Sequence, residues 1–129
     1  MKKKLFIIIG LLVVIAVGVK FYISNMFDEY DAYMETVHIE TLSLDDIEDG
    51  TYLGESDAGG IIRVKVSVEV KNHTIEAINL IQHDNGRGDS ADVIIGDIVE
   101  AQSLQVDTIT GATNSSLIIL EAVQNALSR

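Results

Sequence analysis

The stretch Ile61-Ile62-Arg63-Val64-Lys65-Val66-Ser67-Val68-Glu69-Val70-Lys71 alternates along its length. Ile62, Val64, Val66, Val68 and Val70 share one face; Arg63, Lys65, Ser67, Glu69 and Lys71 share the other. That period of two is the pattern of an antiparallel strand with one face buried and one in water. Asn72-His73 follows. Asn accepts positive φ readily and His moderately, so the pair predicts a tight hairpin turn into a second strand over Thr74 to Gln82. Upstream, Thr51 to Glu55 fits a short strand, and Asp57-Ala58-Gly59-Gly60 fits a turn. Downstream the period changes to that of helices. Val93, Ile94, Ile98, Val99 and Leu104 predict one helix, weakened at Gly96. Leu117, Leu120, Val123, Ala126 and Leu127 predict a clearer one. Strands followed by helices predict an α+β fold, a small antiparallel sheet with helices packed on one face. So small a core is marginal, and a ligand bound only by the folded state would stabilise it.

The N-terminal part has another character. Leu5 to Ile23 is a run of 19 residues with one charge, Lys20, near its end. At about 1.5 Å per residue it nearly spans a hydrocarbon core of about 30 Å. Lys2, Lys3 and Lys4 precede it, so the N-terminus is expected in the cytoplasm and the remainder outside the cell membrane, as a single-pass protein. A cleaved signal peptide is the competing reading, since Ala16-Val17-Gly18 is an acceptable cleavage site. The run continues past that site, and its length favours an uncleaved transmembrane helix. The expected division is a membrane anchor over residues 1–23, an acidic stalk over 24–48 and a domain over 49–129.

Ser24 to Gly50 holds nine acids and no base. Met26 to Met34 can continue the anchor as an exposed helix. Val37 to Leu42 alternates and reads as a short strand, and Ser43 caps a predicted helical turn at Leu44-Asp45-Asp46. His38 has no second His or Cys nearby and reads as solvated, not as a metal ligand. Beyond residue 23 all 20 acids face five bases: Arg63, Lys65, Lys71, Arg87 and Arg129. Such a surface repels nucleic acid and anionic headgroups. The chain has no Cys, which excludes disulfides, Cys-linked lipid, iron–sulfur clusters and c-type haem.

Two segments carry candidate chemistry. Asp107-Thr108-Ile109-Thr110-Gly111-Ala112-Thr113-Asn114-Ser115-Ser116 stands just before the last helix. A helix start offers unpaired N–H groups and the positive end of the dipole, which suits a phosphate. Gly111 and Ala112 leave an anion room to approach, and Thr113 offers a hydroxyl. The same residues also suit a plain helix cap or turn. Asn114-Ser115-Ser116 and Asn72-His73-Thr74 match glycosylation sequons. The second segment, His83-Asp84-Asn85-Gly86-Arg87-Gly88-Asp89-Ser90, reads as a polar loop whose Arg87 gives it anion-binding character.

With its order of strands and helices, the region from about Gly50 to Ser128 resembles the FMN-binding domain family. That family includes the flavin-carrying subunits of the sodium-pumping NADH–quinone reductase and of the Rnf complex, and small membrane-anchored members. Its hallmark, Asp-x-x-Ser/Thr-Gly-Ala-Thr/Ser, is matched by Asp107, Thr110, Gly111, Ala112 and Thr113. Asp-Gly-Thr-Tyr-x-Gly at Asp49 to Gly54 and the closing Ile118 to Leu127 look like the family too. The resemblance implies that a separate flavin transferase, using FAD and magnesium, attaches FMN to Thr113 through a phosphoester bond. Thr110, Gly111 and Ala112 would shape the approach, and Asp107 would serve the transferase or the turn. His83 would hydrogen-bond the isoalloxazine and Arg87 would stabilise reduced flavin. The family commonly has a Pro-Gly-x-Gly-like turn in that loop; here the proline is absent.

What this implies is an extracytoplasmic electron carrier whose sole redox centre is covalent FMN, with the protein supplying orientation and electrostatics. Thr113 would be modified by another enzyme, so this chain needs no catalytic residue. A membrane dehydrogenase or quinol system would be the electron donor. The alternatives are a subunit of a larger membrane redox complex and an anchored, non-redox binding module without flavin.

Overall fold

The computed structural model describes residues 1–84 and 88–128. Its elements are helix α1 (Lys2–Thr36), strands β1 (Gly50–Ala58), β2 (Ile62–Lys71) and β3 (Thr74–Asp84), and helices α2 (Ile94–Ala101) and α3 (Thr113–Leu127). The three strands form an antiparallel sheet in the order β1-β2-β3. The alternation of β2 is realised residue by residue, with Ile62, Val64, Val66, Val68 and Val70 buried. Asn72 and His73 take φ of +50° and +57°, the conformation of a two-residue hairpin turn. β1 is longer than Thr51 to Glu55, because its pairing with β2 runs on to Ala58 opposite Ile62.

Helix α3 lies on the apolar face of β1 and β2, and α2 lies beside β3. Ile118, Ile119, Leu120, Ala122, Val123 and Ala126 of α3 close the core over the β2 valines. The fold is therefore α+β with helices on one face of a small sheet. Helix α2 starts later and ends earlier than the sequence pattern. A short 3-10 turn over Asp89–Val93 precedes it, and Gln102 ends it at φ +53°. The Gln102 side chain bonds the backbone of Ile75 and Val99, so it docks the helix end onto β3.

Helix α1 is long and apolar enough to cross a membrane, and none of its most apolar window is buried in the protein. It continues past the apolar run, but not as a wholly exposed rod. Tyr30, Tyr33 and Met34 pack against the core. The Tyr33 hydroxyl donates to Oε2 of Glu121 at 2.7 Å and lies 3.1 Å from Oγ of Ser56. The Ser56 hydroxyl donates to the same carboxylate oxygen.

Val37 to Leu42 is not a strand. Its alternation comes from Val37, Ile39 and Leu42 packing against the core while the residues between face water. Side chains satisfy its backbone in place of a strand neighbour. Gln124 accepts from Glu40 N–H and donates to the His38 carbonyl, and Gln105 donates to that of Ile39. The turn at Leu44–Asp46 forms without a side-chain hydrogen bond from Ser43.

Burial raises the Tyr33 pKa above its ordinary value of 10.0, and the neighbouring Glu121 charge adds to the rise. The folded state thus favours the neutral phenol. The stability this contributes is fully present below the unfolded pKa and is lost as pH rises from about 10 through the higher folded value. Alkaline titration of stability should show this loss in the wild type and a smaller one in Tyr33→Phe. Equal slopes in the two proteins would refute the assignment.

Candidate functional site

The motif before α3 folds around a buried serine. The Oγ of Ser116, fully buried in the first turn of α3, donates to the Ala112 carbonyl at 2.8 Å and accepts from Ile109 N–H at 3.0 Å. Ala112 N–H closes the loop onto the Ile109 carbonyl at 2.9 Å. Between them Gly111 takes φ +81°, a conformation that a side chain would strain. A Cβ there would meet nothing within 4 Å, so the glycine also keeps its surroundings open.

The residue that caps α3 is Ala112, whose side chain makes no cap hydrogen bond. Thr113 is the first helical residue. Its hydroxyl is therefore not used as a cap, and the first-turn N–H groups lack carbonyls within the helix. Thr113 is exposed, whereas Ser115 and Ser116 are 3 % and 0 % exposed. Beside them is an open cleft of about 410 Å³ lined by Gly111, Ala112, Thr113, Asn114 and Ser115, by Ile62 and Gly88, and by Tyr30 of α1. That volume lies within the range of about 300–1,000 Å³ usual for ligand sites.

The structure places Thr110, Asp107 and His83 outside the lining of this cleft. Thr110 is an exposed turn residue outside its lining. Asp107 is exposed and lines a different cleft with Asp97, Glu100 and Ala101 of α2. His83 is the next-to-last residue of β3, opposite Val64. Its side chain is 4 % exposed, and its Nδ1–H donates to Oδ1 of Asp92 at 2.5 Å. Its covered side chain is tied to the turn before α2, and among the described residues of its loop Gly88 lines the cleft. Arg87 lies outside the described residues. His73 keeps its turn position, its Nδ1–H donating to the Leu44 carbonyl at 3.2 Å.

Sequence reasoning did not find Tyr30, Ser116 or Asp92. Ser116 was legible only as part of a sequon. Nothing in the local pattern marks it as the residue that ties its own helix to the preceding loop. Replacing it with Ala leaves Ile109 N–H without that acceptor, at a cost of about 1–3 kcal/mol. Ser116→Ala should lower the denaturation midpoint accordingly and leave the secondary-structure spectrum intact. An unchanged midpoint would show that the bond carries no stability.

An exposed hydroxyl on the first residue of a helix, a glycine with open space before it and a ligand-sized cleft together define a phosphate-compatible binding site on an α+β scaffold. The sequence model of the FMN-binding domain matches residues 57–128, and the chain belongs to the FMN-binding domain family. No curated protein shows significant similarity to it. The residues present fit FMN. Thr113 and the first-turn N–H groups suit its phosphate, and the cleft opens between the domain and α1.

Proposed function

We propose that the chain is a membrane-anchored electron carrier that holds FMN covalently through Thr113, in a domain outside the cytoplasmic membrane. The observation that carries this reading is Thr113 itself, the exposed hydroxyl lining the cleft. In attachment, a bond forms between Thr113 Oγ1 and the phosphorus of the FMN half of FAD. The phosphoanhydride bond breaks, AMP leaves and the hydroxyl proton goes to solvent. A separate flavin transferase with magnesium performs this step.

Bound FMN supplies reversible transfer of one or two electrons. The chain supplies the rest. The first turn of α3 would hold the remaining phosphate charge, an interaction worth roughly 0.3–1 kcal/mol when exposed and up to ~2 when partly buried. Gly111 leaves the approach clear, and the Ser116 bonds fix the loop. Covalent attachment suits an exported carrier, which could not readily replace lost cofactor. The lysines before the apolar run favour the orientation with the domain outside, and a membrane dehydrogenase or quinol system is the matching donor.

The test is coexpression of the full chain with a flavin transferase, followed by denaturing electrophoresis and intact mass. A fluorescent band with the mass of one added FMN is expected. A colourless band of unmodified mass would overturn the proposal.

A further inference from the structure

The flavin cleft has one wall that does not come from the matched domain. Tyr30 belongs to α1, outside residues 57–128, yet it lines the cleft with Thr113. Three contacts hold it there. Its hydroxyl accepts a hydrogen bond from Nδ2 of Asn114, the neighbour of Thr113, at 2.7 Å. Its backbone passes so close to the β1–β2 turn that a Cβ at Gly59 would lie 3.0 Å from the Tyr30 nitrogen. One turn further on, Tyr33 is fastened to Ser56 and Glu121. An amphipathic ring, half-buried beside a phosphate-compatible helix start, has the chemistry to pack on a flat heteroaromatic ring.

We propose that the anchor helix completes the flavin site, with Tyr30 as the aromatic contact of the isoalloxazine; this rests on the proposed attachment of FMN to Thr113. The consequence is positional. Ile23 and Tyr30 lie seven residues apart on one unbroken helix, about 10 Å along its axis. The cofactor is thereby held near the bilayer surface, where an electron donor embedded in the membrane can reach it. The same geometry bears on the sequon at Asn114, because a glycan would be attached at the nitrogen that bonds Tyr30.

The excited-state lifetime of the attached flavin tests this, measured on the full chain in detergent after coexpression with the transferase. A phenol in contact with an excited flavin quenches it by donating an electron, which returns in the dark. Phenylalanine cannot donate in this way, and tryptophan donates more readily. Tyr30→Phe keeps the ring and the packing, and it should lengthen the lifetime several-fold. Tyr30→Trp should hold the lifetime at or below the wild-type value, and Tyr52→Phe, on β1 outside the cleft lining, should leave it unchanged. Lifetimes equal to wild type in both Tyr30 variants would overturn the inference. So would lengthening in both, which would mark a displaced helix and not a lost electron donor. Flavin attached with these lifetimes unmoved defeats this inference alone, whereas a wild-type chain that accepts no flavin defeats the proposed function as well.

Discussion

Thr113→Ala should abolish covalent flavin, giving a band without fluorescence and a mass short by one FMN, while Ser115→Ala should retain the label. The two hydroxyls are two residues apart on one helix, and exposure separates them. Ser115 is 3 % exposed and Thr113 stands open at the helix start. A transferase must bring its substrate phosphorus within bonding distance of the acceptor oxygen, and a buried hydroxyl cannot be reached without opening the helix. Thr113→Ser keeps an exposed hydroxyl at the same place and should retain attachment, which separates loss of the acceptor from loss of the fold. Thr110→Ala is the sharper control. Thr110 is also exposed, but it lies in the turn outside the cleft lining. Flavin remaining on Thr113→Ala and disappearing from Thr110→Ala would move the attachment site to Thr110.

The sheet was legible in the sequence because β2 is bounded on both sides by chemistry that permits one register. Its alternating valines choose the buried face, and Asn72-His73 closes the hairpin. The start of the last helix was also legible, because Gly111 is a poor helix former and the small Gly111-Ala112 pair leaves approach space before it. What the sequence did not disclose is set by contacts distant in the chain. Val37 to Leu42 alternates like a strand, but side chains from α3 and from the segment after α2 satisfy its backbone. His83 looks like a loop residue, yet it lies in β3 with its side chain covered and bonded to Asp92, nine positions on. Tyr30 lies in a stretch rich in acids with no local mark of a site. Only the path of α1 past Gly59 brings it to the cleft.

Gly54→Ala should be the most damaging single-methyl change in the domain, because it acts on the joint between the sheet and α3. A Cβ at Gly54 would lie 2.0 Å from the Ala122 carbonyl oxygen, 2.6 Å from Ala126 N and 2.7 Å from Ala126 Cβ. The first two are backbone atoms of the helix, so no rotamer change relieves the overlap. Either α3 lifts from β1 or the strand bends, and both disturb the packing of Ile119, Ala122 and Val123 over the β2 valines. Overpacking of this kind costs about 1–3 kcal/mol, and more where backbone must move. A small domain with a total stability of roughly 5–15 kcal/mol feels such a loss strongly. The displacement also reaches the site, since α3 carries Thr113 at its start and Ser116 in its first turn. Gly54→Ala should therefore lower the thermal midpoint and slow flavin attachment together. Gly96→Ala provides the contrast, because a Cβ there meets nothing within 4 Å. By removing a glycine from the interior of α2 it should stabilise the domain by roughly 0.5–1 kcal/mol and leave attachment unchanged. If Gly54→Ala melted at the wild-type temperature, the close contact between β1 and α3 would be refuted, and with it the account of what aims the start of α3 at the cleft.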